Sequence, residues 1–517
     1  MILMKKIGKL IIISLISLVF AQSLPAQVNT VYYLRDNPYR HQLNPAFQPT
    51  DNIYIDFPIF PTVQLNFGNN DLTFRDFVYP KMIDGTMQTI TFLHPEANKD
   101  DFYNRLKPHT NIRTSVQVEL LSFGFRTKKS YITFDVSQKT IVIASLPKDM
   151  FKLMLYGTPD TLNINSFDFS SINISSSEYT EYAMGYSRKI NDKLSIGIKG
   201  KLLYGQANVS TNIETLKLNA SRDSWDATIV GTINGTLPKT EYKLDEKGKI
   251  TSIQTNFPKS DSKSANKVND LLSNYIGMIF KPSGSGFAVD LGATYKVSDK
   301  LTVSASILDM GSIVWRKNTV NIPVSDNFKV EGFNFNQNDS TGYWDQYGKV
   351  ISDSIKFKTS FNPYRTPLPT KIFIGGEYFI YKNKISIGLL SNSTFFGKRM
   401  YEEITTSVNF LPTEGFNASL SYSLLNGKFN SLGVGMNFRT DPWNVFIASD
   451  YVPLKYTTDA VPYNSRFMNL KFGICMTFGN YEKTKTEKQE KTNDKSNNIG
   501  NSTNILPTIK PVLNQKK

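Results

Sequence analysis

The sequence predicts an all-β fold, an antiparallel transmembrane β-barrel of about 14 strands with an N-terminal hatch or plug segment and short loop helices. Three observations lead to this prediction. Apolar and polar side chains alternate over segments long enough to cross a bilayer as strands. The mean hydropathy of −0.29 is too low for a bundle of transmembrane helices. The listed connections after even-numbered predicted strands are all short, and the four long connections all follow odd-numbered strands.

The N-terminus has the pattern of a secretory signal peptide. Three lysines precede an apolar run over residues 10–20, and the small residues that follow suit cleavage after Ala21 or Ala26. As a helix the run would rise only about 16 Å, roughly half of a bilayer core, which is too short for a membrane anchor. The predicted organisation is a signal peptide (1–26), a hatch (27–52), a barrel (53–478) and a disordered Lys/Asn-rich tail (479–517).

The predicted strands follow from alternation with a period of two. It is clearest over residues 287–297, 416–424 and 467–478. Successive side chains of a strand point to opposite faces, so each segment has one apolar face and one face of small, polar residues that suits a water-filled lumen. The predicted strands are 53–67, 111–126, 130–144, 178–190, 194–208, 285–297, 300–316, 370–381, 384–397, 401–411, 415–425, 428–438, 442–451 and 464–478.

Connection length follows strand parity. Short turns come after even-numbered strands, at 127–129, 191–193, 298–299, 382–383, 412–414 and 439–441. The long connections 68–110, 145–177, 209–284 and 317–369 all come after odd-numbered strands. Short periplasmic turns and long outer loops are typical of bacterial outer-membrane barrels, so outer-membrane lipid is the predicted surroundings. In the second long connection, a stretch that begins with Pro147 and ends with Gly157 predicts a short helix.

Three irregularities interrupt the alternation. Asp309 falls on the apolar face of the seventh strand, and the preceding 307–308 doublet predicts a β-bulge that resets the register. Leu120 and Leu121 predict a similar shift in the second strand. Two prolines in the first strand, at 58 and 61, suit an edge or a bulge better than a central ladder. Because of these irregularities, the predicted count of fourteen strands carries an uncertainty of two.

Charged residues on the polar faces are predicted to face the lumen. Two interpretations are open: the lumen binds an amphipathic or anionic solute, or the charges pair across a plugged and inert barrel. The predicted lumen residues are Lys199, Lys201, Asp290, Lys296, Glu377 and Lys471.

The C-terminal region carries a predicted insertion signal. The last strand ends at Phe478, and a terminal aromatic residue on an alternating strand is the kind of signal that barrel-insertion machinery reads. The tail that follows is basic, polar and without apolar periodicity, which predicts disorder.

The composition excludes several functions. The net charge is +15, but the signal peptide and the tail carry about half of that surplus, and export makes nucleic acid an unsuitable partner. With Cys475 as its single cysteine, the chain has no disulfide framework and no multi-thiolate metal site. Three histidines and no hydrolase, zincin or Walker motif predict a protein that is not an enzyme and needs no cofactor.

The segment before the first predicted strand contains motifs that resemble those of a known family. Leu34-Arg35-Asp36 is followed by Leu43-Asn44-Pro45-Ala46-Phe47. The Asn-Pro-Ala element ahead of about fourteen strands resembles the N-terminal hatch of long-chain fatty-acid transporter barrels and their relatives, which include barrels associated with secretion and gliding in Bacteroidota. Proline restricts both its own backbone and that of Asn44, so the element is a rigid bend. This bend would turn the chain inside the wall, or form an ordinary surface turn.

A fuller set of motifs looks still closer to an uncharacterised Bacteroidota outer-membrane barrel family without established activity. The resemblance covers residues 28–478 and implies hatch roles for Arg35, Asp36, Asn44, Pro45 and Ala46. Besides the hatch motifs it rests on residues 121–126, 146–149, 182–188 and 367–371.

The expected function is passive uptake of a hydrophobic or amphipathic solute, or service as an accessory barrel of a surface secretion or adhesion system. A structural barrel is the first alternative, with loops 209–284 and 317–369 presented to a surface-protein partner and no transport. A secreted, soluble β-rich adhesin is the second.

Overall fold

The computed structural model describes most of the chain. The described residues are 28–69, 72–157, 165–221, 224–238, 240–246, 250–255, 282–331, 359–381, 384–396, 399–413, 415–425, 428–452 and 466–480. The predicted signal peptide and nearly all of the predicted tail lie outside them.

The described elements are mostly strands. They are β1 (Asp51–Asp56), β2 (Val63–Asn69), β3 (Val78–Ile83), β4 (Thr86–Thr91), β5 (His109–Thr127), β6 (Ser130–Pro147), β7 (Asn165–Asp168), β8 (Asn173–Lys189), β9 (Leu194–Ala220), β10 (Ser224–Thr236), β11 (Thr240–Leu244), β12 (Ile250–Thr255), β13 (Gly284–Lys296), β14 (Leu301–Trp315), β15 (Thr319–Glu331), β16 (Tyr364–Pro367), β17 (Thr370–Tyr381), β18 (Ile385–Phe396), β19 (Arg399–Thr413), β20 (Phe416–Leu425), β21 (Lys428–Thr440), β22 (Trp443–Ser449) and β23 (Phe467–Asn480). The 3₁₀-helices are η1 (Asn29–Tyr33) and η2 (Pro38–Gln42), and the α-helices are α1 (Phe74–Phe77), α2 (Lys99–Arg105) and α3 (Lys148–Tyr156). No helix among the described residues has the length and apolar content needed to cross a bilayer.

Fourteen antiparallel barrel strands close into a barrel within the described residues. β1 and β2 together form the first barrel strand, and β16 and β17 together form the eighth. The barrel closes because Ile53 on β1 lies opposite Phe478 on β23 and opposite Phe125 on β5. The predicted all-β, 14-strand antiparallel barrel is therefore confirmed.

The wall has its apolar side chains outside. On β9, Ile196 and Ile198 are about half exposed, whereas Lys199 and Lys201 on the opposite face are buried. A soluble sandwich would bury the apolar set between two sheets. A barrel wall in lipid needs the arrangement seen here.

The two predicted bulges are confirmed. The pairing of β5 with β6 shifts between Glu119 and Leu121. The pairing of β13 with β14 shifts between Val289 and Leu291, opposite Asp309, whose φ is 60°. This bulge turns the Asp309 side chain from the lipid face into the lumen, where it is buried.

The prolines interrupt the first barrel strand. β1 ends at Asp56 and β2 begins at Val63, while the partner β23 advances only from Cys475 to Phe472 over the same interval. Residues 57–60 are exposed and bulge out of the wall, because proline cannot donate to the ladder.

The end of the barrel that carries the turns after even-numbered strands is called the short-turn rim, and the opposite end the long-loop rim. At the long-loop rim the sheet continues beyond the barrel: the upper part of β9 pairs with β10, which pairs with β15. The expectation that 209–284 and 317–369 are loops is thus wrong in part, since β10 and β15 lie in them. α3 confirms the helix predicted over 147–157, and Phe151 and Leu155 pack with Phe102 of α2.

Candidate functional site

The lumen holds a separate chain segment, residues 28–50, called the plug. Its apolar side chains Val31, Leu34 and Tyr39 are fully buried. η2 begins at Pro38 because Asn37 caps it, with the Asn37 side chain accepting a hydrogen bond from the Tyr39 N–H at 2.9 Å.

The end of the plug nearer the long-loop rim is held by a buried carboxylate. Asp450 accepts hydrogen bonds from the backbone N–H groups of Asn29 (2.5 Å) and Thr30 (2.8 Å), and from the Thr30 hydroxyl. The Thr30 and Ser421 hydroxyl oxygens are 2.7 Å apart. The Asn29 amide donates to Thr405 at 3.2 Å.

Two tyrosines of η1 attach the middle of the plug to the wall. Tyr32 stacks on Phe373 with 6.0 Å between ring centroids, and its hydroxyl lies 2.9 Å from that of Ser304. Tyr33 donates from its hydroxyl to the Leu389 carbonyl at 2.7 Å.

The Asn44-Pro45-Ala46 bend lies against the inner wall rather than on the surface. The Asn44 amide donates to the carbonyls of Ala293 (3.3 Å) and Ala305 (3.2 Å), and its own oxygen accepts from the Ala46 N–H at 2.9 Å. The wall is glycine where it meets the bend: a Cβ at Gly197 would overlap the Pro45 carbonyl, and one at Gly292 would overlap the Asn44 side chain.

The other predicted hatch residues lie towards the short-turn rim. Arg35 pairs with Glu377 at 3.0 Å and its guanidinium lies over the Phe379 ring, 4.2 Å from the centroid. Asp36 accepts a hydrogen bond from the Asn417 amide at 2.7 Å. The plug, not free solvent, is therefore the partner of the predicted lumen residue Glu377.

A layer of buried charges crosses the lumen beside the plug. Lys201 lies 2.7 Å from Asp290 and 2.5 Å from Asp309, and Lys371 lies 2.9 Å from Asp309. Lys139 pairs with Glu181 at 2.7 Å. The charges neutralise one another in an environment where an unpaired charge would be costly. Lys201 and Asp290 were predicted from the sequence as lumen residues, whereas Lys139, Glu181 and Lys371 were not.

A second buried group joins the plug to the wall through His41. The Lys199 ammonium donates to Asp135 (2.8 Å) and to His41 Nδ1 (2.9 Å), and His41 Nε2 lies 2.8 Å from the Tyr54 hydroxyl. Burial, reinforced by Lys199, lowers the pKa of His41 to about 3, so its ring is neutral. Because an ammonium can only donate, the ring proton lies on Nε2 and is donated to Tyr54. Lys471 also contacts the plug, donating to the Gln42 side chain at 2.8 Å.

Two of the sequence-predicted site residues lie at the short-turn rim. Lys296 does not line the enclosed lumen: its side chain is 48% exposed and pairs with Asp299 at 3.0 Å, because β13 ends there. Phe478 faces outward near the end of β23 and is 41% exposed. The lumen expectation for Lys296 is therefore corrected to a rim position.

Two cavities adjoin the plug. One of about 30 Å³ lies among the buried charges, next to Gln42 and Leu43. The other, of about 220 Å³, lies between the plug and β9, β13, β14 and β17 near the short-turn rim. No group of three potential metal-ligating side chains occurs in the described residues.

The chain is similar to several solved structures, each at low sequence identity and with a TM-score below 0.5. No curated protein sequence matches the chain. The toluene transporter TbuX of Ralstonia pickettii is similar over 86% of this chain and 94% of its own, with 7% identity and a TM-score of 0.40. The toluene transporter TodX of Pseudomonas putida is similar over 88% and 93%, with 8% identity and a TM-score of 0.33. A Pseudomonas aeruginosa FadL homologue is similar over 89% and 100%, with 11% identity and a TM-score of 0.37.

One sequence family covers most of the chain, from the Pro45 bend of the plug to Asp450, which holds the plug's other end. The match extends over residues 45–450 and so includes nearly the whole wall. The chain belongs to the family of unknown function DUF5723.

Proposed function

We propose that this protein is an outer-membrane β-barrel through which a small hydrophobic or amphipathic solute passes passively into the periplasm. In this proposal the signal peptide directs export, barrel-insertion machinery reads the Phe478 end of β23, and the apolar outer face contacts outer-membrane lipid. The short-turn rim faces the periplasm. The plug is the part that moves.

The position of the plug carries the proposal. A segment distinct from the wall fills the lumen, and hydrogen bonds, ring contacts and ion pairs hold it there. The solute must displace this segment to pass, because the plug and the charged layer together occupy the described lumen.

The larger cavity supports the solute class. It lies beside the plug, and its walls combine the Tyr32 and Phe47 rings with the hydroxyl groups of Thr302 and Ser304. Four cationic side chains and one carboxylate line the same cavity. Apolar rings next to charged and polar groups suit an amphipathic molecule.

Locking the plug to the wall is expected to abolish uptake. The Thr30 and Ser421 oxygens are close enough for cysteines at both positions to form a disulfide. In proteoliposomes, the Thr30→Cys/Ser421→Cys double variant should lose uptake of the amphipathic dye anilinonaphthalene sulfonate when oxidised and regain it on reduction.

The Thr30→Cys single variant is the control, because it loses the same hydroxyl without gaining a cross-link. The natural Cys475 is buried and does not interfere. The proposal fails if the oxidised double variant takes up the dye as fast as the reduced one, or if the wild-type protein takes up none.

A structural or accessory role is the second candidate, and one observation favours it. β9 runs over 27 residues, and its upper part joins β10 and β15 in a sheet beyond the barrel. Such a sheet can present a surface to a protein partner of a secretion or adhesion system. Dye uptake that is absent in wild type and in every plug variant would favour this role.

A further inference from the structure

The cavity of about 220 Å³ at the short-turn rim has a marked excess of positive charge. Four cationic side chains line it, against one carboxylate, and they are Arg35, Arg40, Arg126 and Lys189, with Glu377. Both oxygens of Glu377 already have partners, Arg35 at 3.0 Å and the Ser386 hydroxyl at 2.7 Å. The nearby Asp36 carboxylate accepts from Asn417. The cavity therefore attracts an anion from outside.

Arg40 is the cation best placed to receive it. Its Nε donates to the Tyr32 carbonyl at 2.8 Å and its Nη1 to the Arg35 carbonyl at 3.5 Å, and the guanidinium lies over the Phe47 ring at 4.2 Å. In the described part of the chain Arg40 makes no direct ion pair. Burial lowers its pKa to about 10, which leaves it charged at neutral pH but poorly compensated. A guanidinium has five N–H donors, so Arg40 has further N–H groups that can donate to a carboxylate.

The remaining walls define the body of the ligand. The rings of Tyr32 and Phe47 meet edge to face with centroids 4.9 Å apart, forming an apolar corner beside the guanidinium. Ser195, Thr294 and Thr302 line the side formed by the wall. A cavity of about 150 Å³ can hold a benzene ring, so this one has room for a single ring and a carboxylate.

We propose that this cavity binds a small aromatic carboxylate, with the carboxylate on Arg40 and the ring against Tyr32 and Phe47. The inference rests on the proposed function, because it names the class of solute that leaves the plug towards the short-turn rim. The binding itself does not require transport, because the ligand can bind to the folded barrel at equilibrium.

The test measures benzoate binding to the purified, detergent-folded full-length protein by isothermal titration calorimetry. We expect saturable binding of benzoate and at least about tenfold weaker binding of benzamide, which has the same shape without the charge. Arg40→Gln should weaken benzoate binding at least about tenfold, whereas Lys300→Gln, at an exposed position in a short turn, should leave it unchanged. Thr294→Trp fills the cavity from the wall without touching the hydrogen bonds of Arg40, and should also abolish binding.

Several outcomes overturn the inference. They are absence of benzoate binding by folded protein, equal binding of benzamide, and complete competition by chloride or phosphate at the concentration of benzoate. Tighter binding of a short peptide through its C-terminal carboxylate would overturn the small-molecule assignment. If benzoate binds as expected but no variant transports dye, the proposed uptake fails and this inference stands. If the plug controls dye uptake but benzoate does not bind, the proposed uptake stands and this inference fails.

Discussion

Asp309→Asn is expected to lower the free energy of unfolding by about 3 to 5 kcal/mol. The Asp309 carboxylate lies between two ammonium groups, 2.5 Å from the buried Lys201 and 2.9 Å from the partly buried Lys371. Lys201 keeps Asp290 as a partner, but Lys371 loses the only carboxylate that it pairs with in the described structure. Asparagine tolerates the φ of 60° at this position, so the substitution changes charge rather than backbone strain.

Urea unfolding, followed by tryptophan fluorescence and by heat-modifiable migration on a gel, measures this loss. Asp299→Asn is the matched control, because Asp299 makes the exposed ion pair with Lys296 and should unfold like wild type. Adding Lys371→Met to Asp309→Asn should recover part of the stability, since it removes the unpaired charge. A wild-type unfolding midpoint for Asp309→Asn would show that water, rather than the carboxylate, compensates the two lysines.

The barrel strands could be predicted because their signal is local. A lipid-facing wall needs an apolar residue at every second position, and any break in that rule marks a change in register. Asp309 illustrates this: a charge on the apolar phase predicted the bulge that the β13–β14 pairing contains.

The ion pairs inside the lumen could not be predicted, because they join residues that are far apart in the sequence. Lys139 and Glu181 lie on neighbouring strands, and Lys371 lies across the bulge from Lys201, so no spacing along the chain connects them. The prediction that Lys296 faces the lumen was wrong for a different reason. It has the correct phase, but it lies where β13 ends and the lumen is no longer enclosed.

β10 and β15 were missed because both lie in long connections that were interpreted as loops, although Val320, Ile322 and Val324 of β15 alternate and form a buried apolar face. Residues 224–236 lack a clean alternation, and they form a strand because β9 and β15 supply hydrogen-bond partners on both sides. The sequence motif at Asn44 located the bend, but nothing in it indicated which part of the wall would receive the bend.

Gly197→Ala is expected to loosen the plug and raise the conductance of the barrel in planar lipid bilayers. The added Cβ would overlap the Pro45 carbonyl, and the proline-fixed backbone can yield only by moving the bend. Overpacking of this kind costs about 1 to 3 kcal/mol. If that strain is relieved when the plug is displaced, the displaced population rises about 5- to 150-fold.

The control comes from another wall glycine. A Cβ at Gly376 would meet nothing within 4 Å, so Gly376→Ala adds the same methyl group without touching the plug and should conduct like wild type. Increased conductance in Gly197→Ala alone means that the plug controls the opening, since both variants keep the same barrel strands and the same charged layer. Equal, low conductance in both variants would mean that the charged layer closes the lumen even when the bend is displaced, and that the barrel is structural.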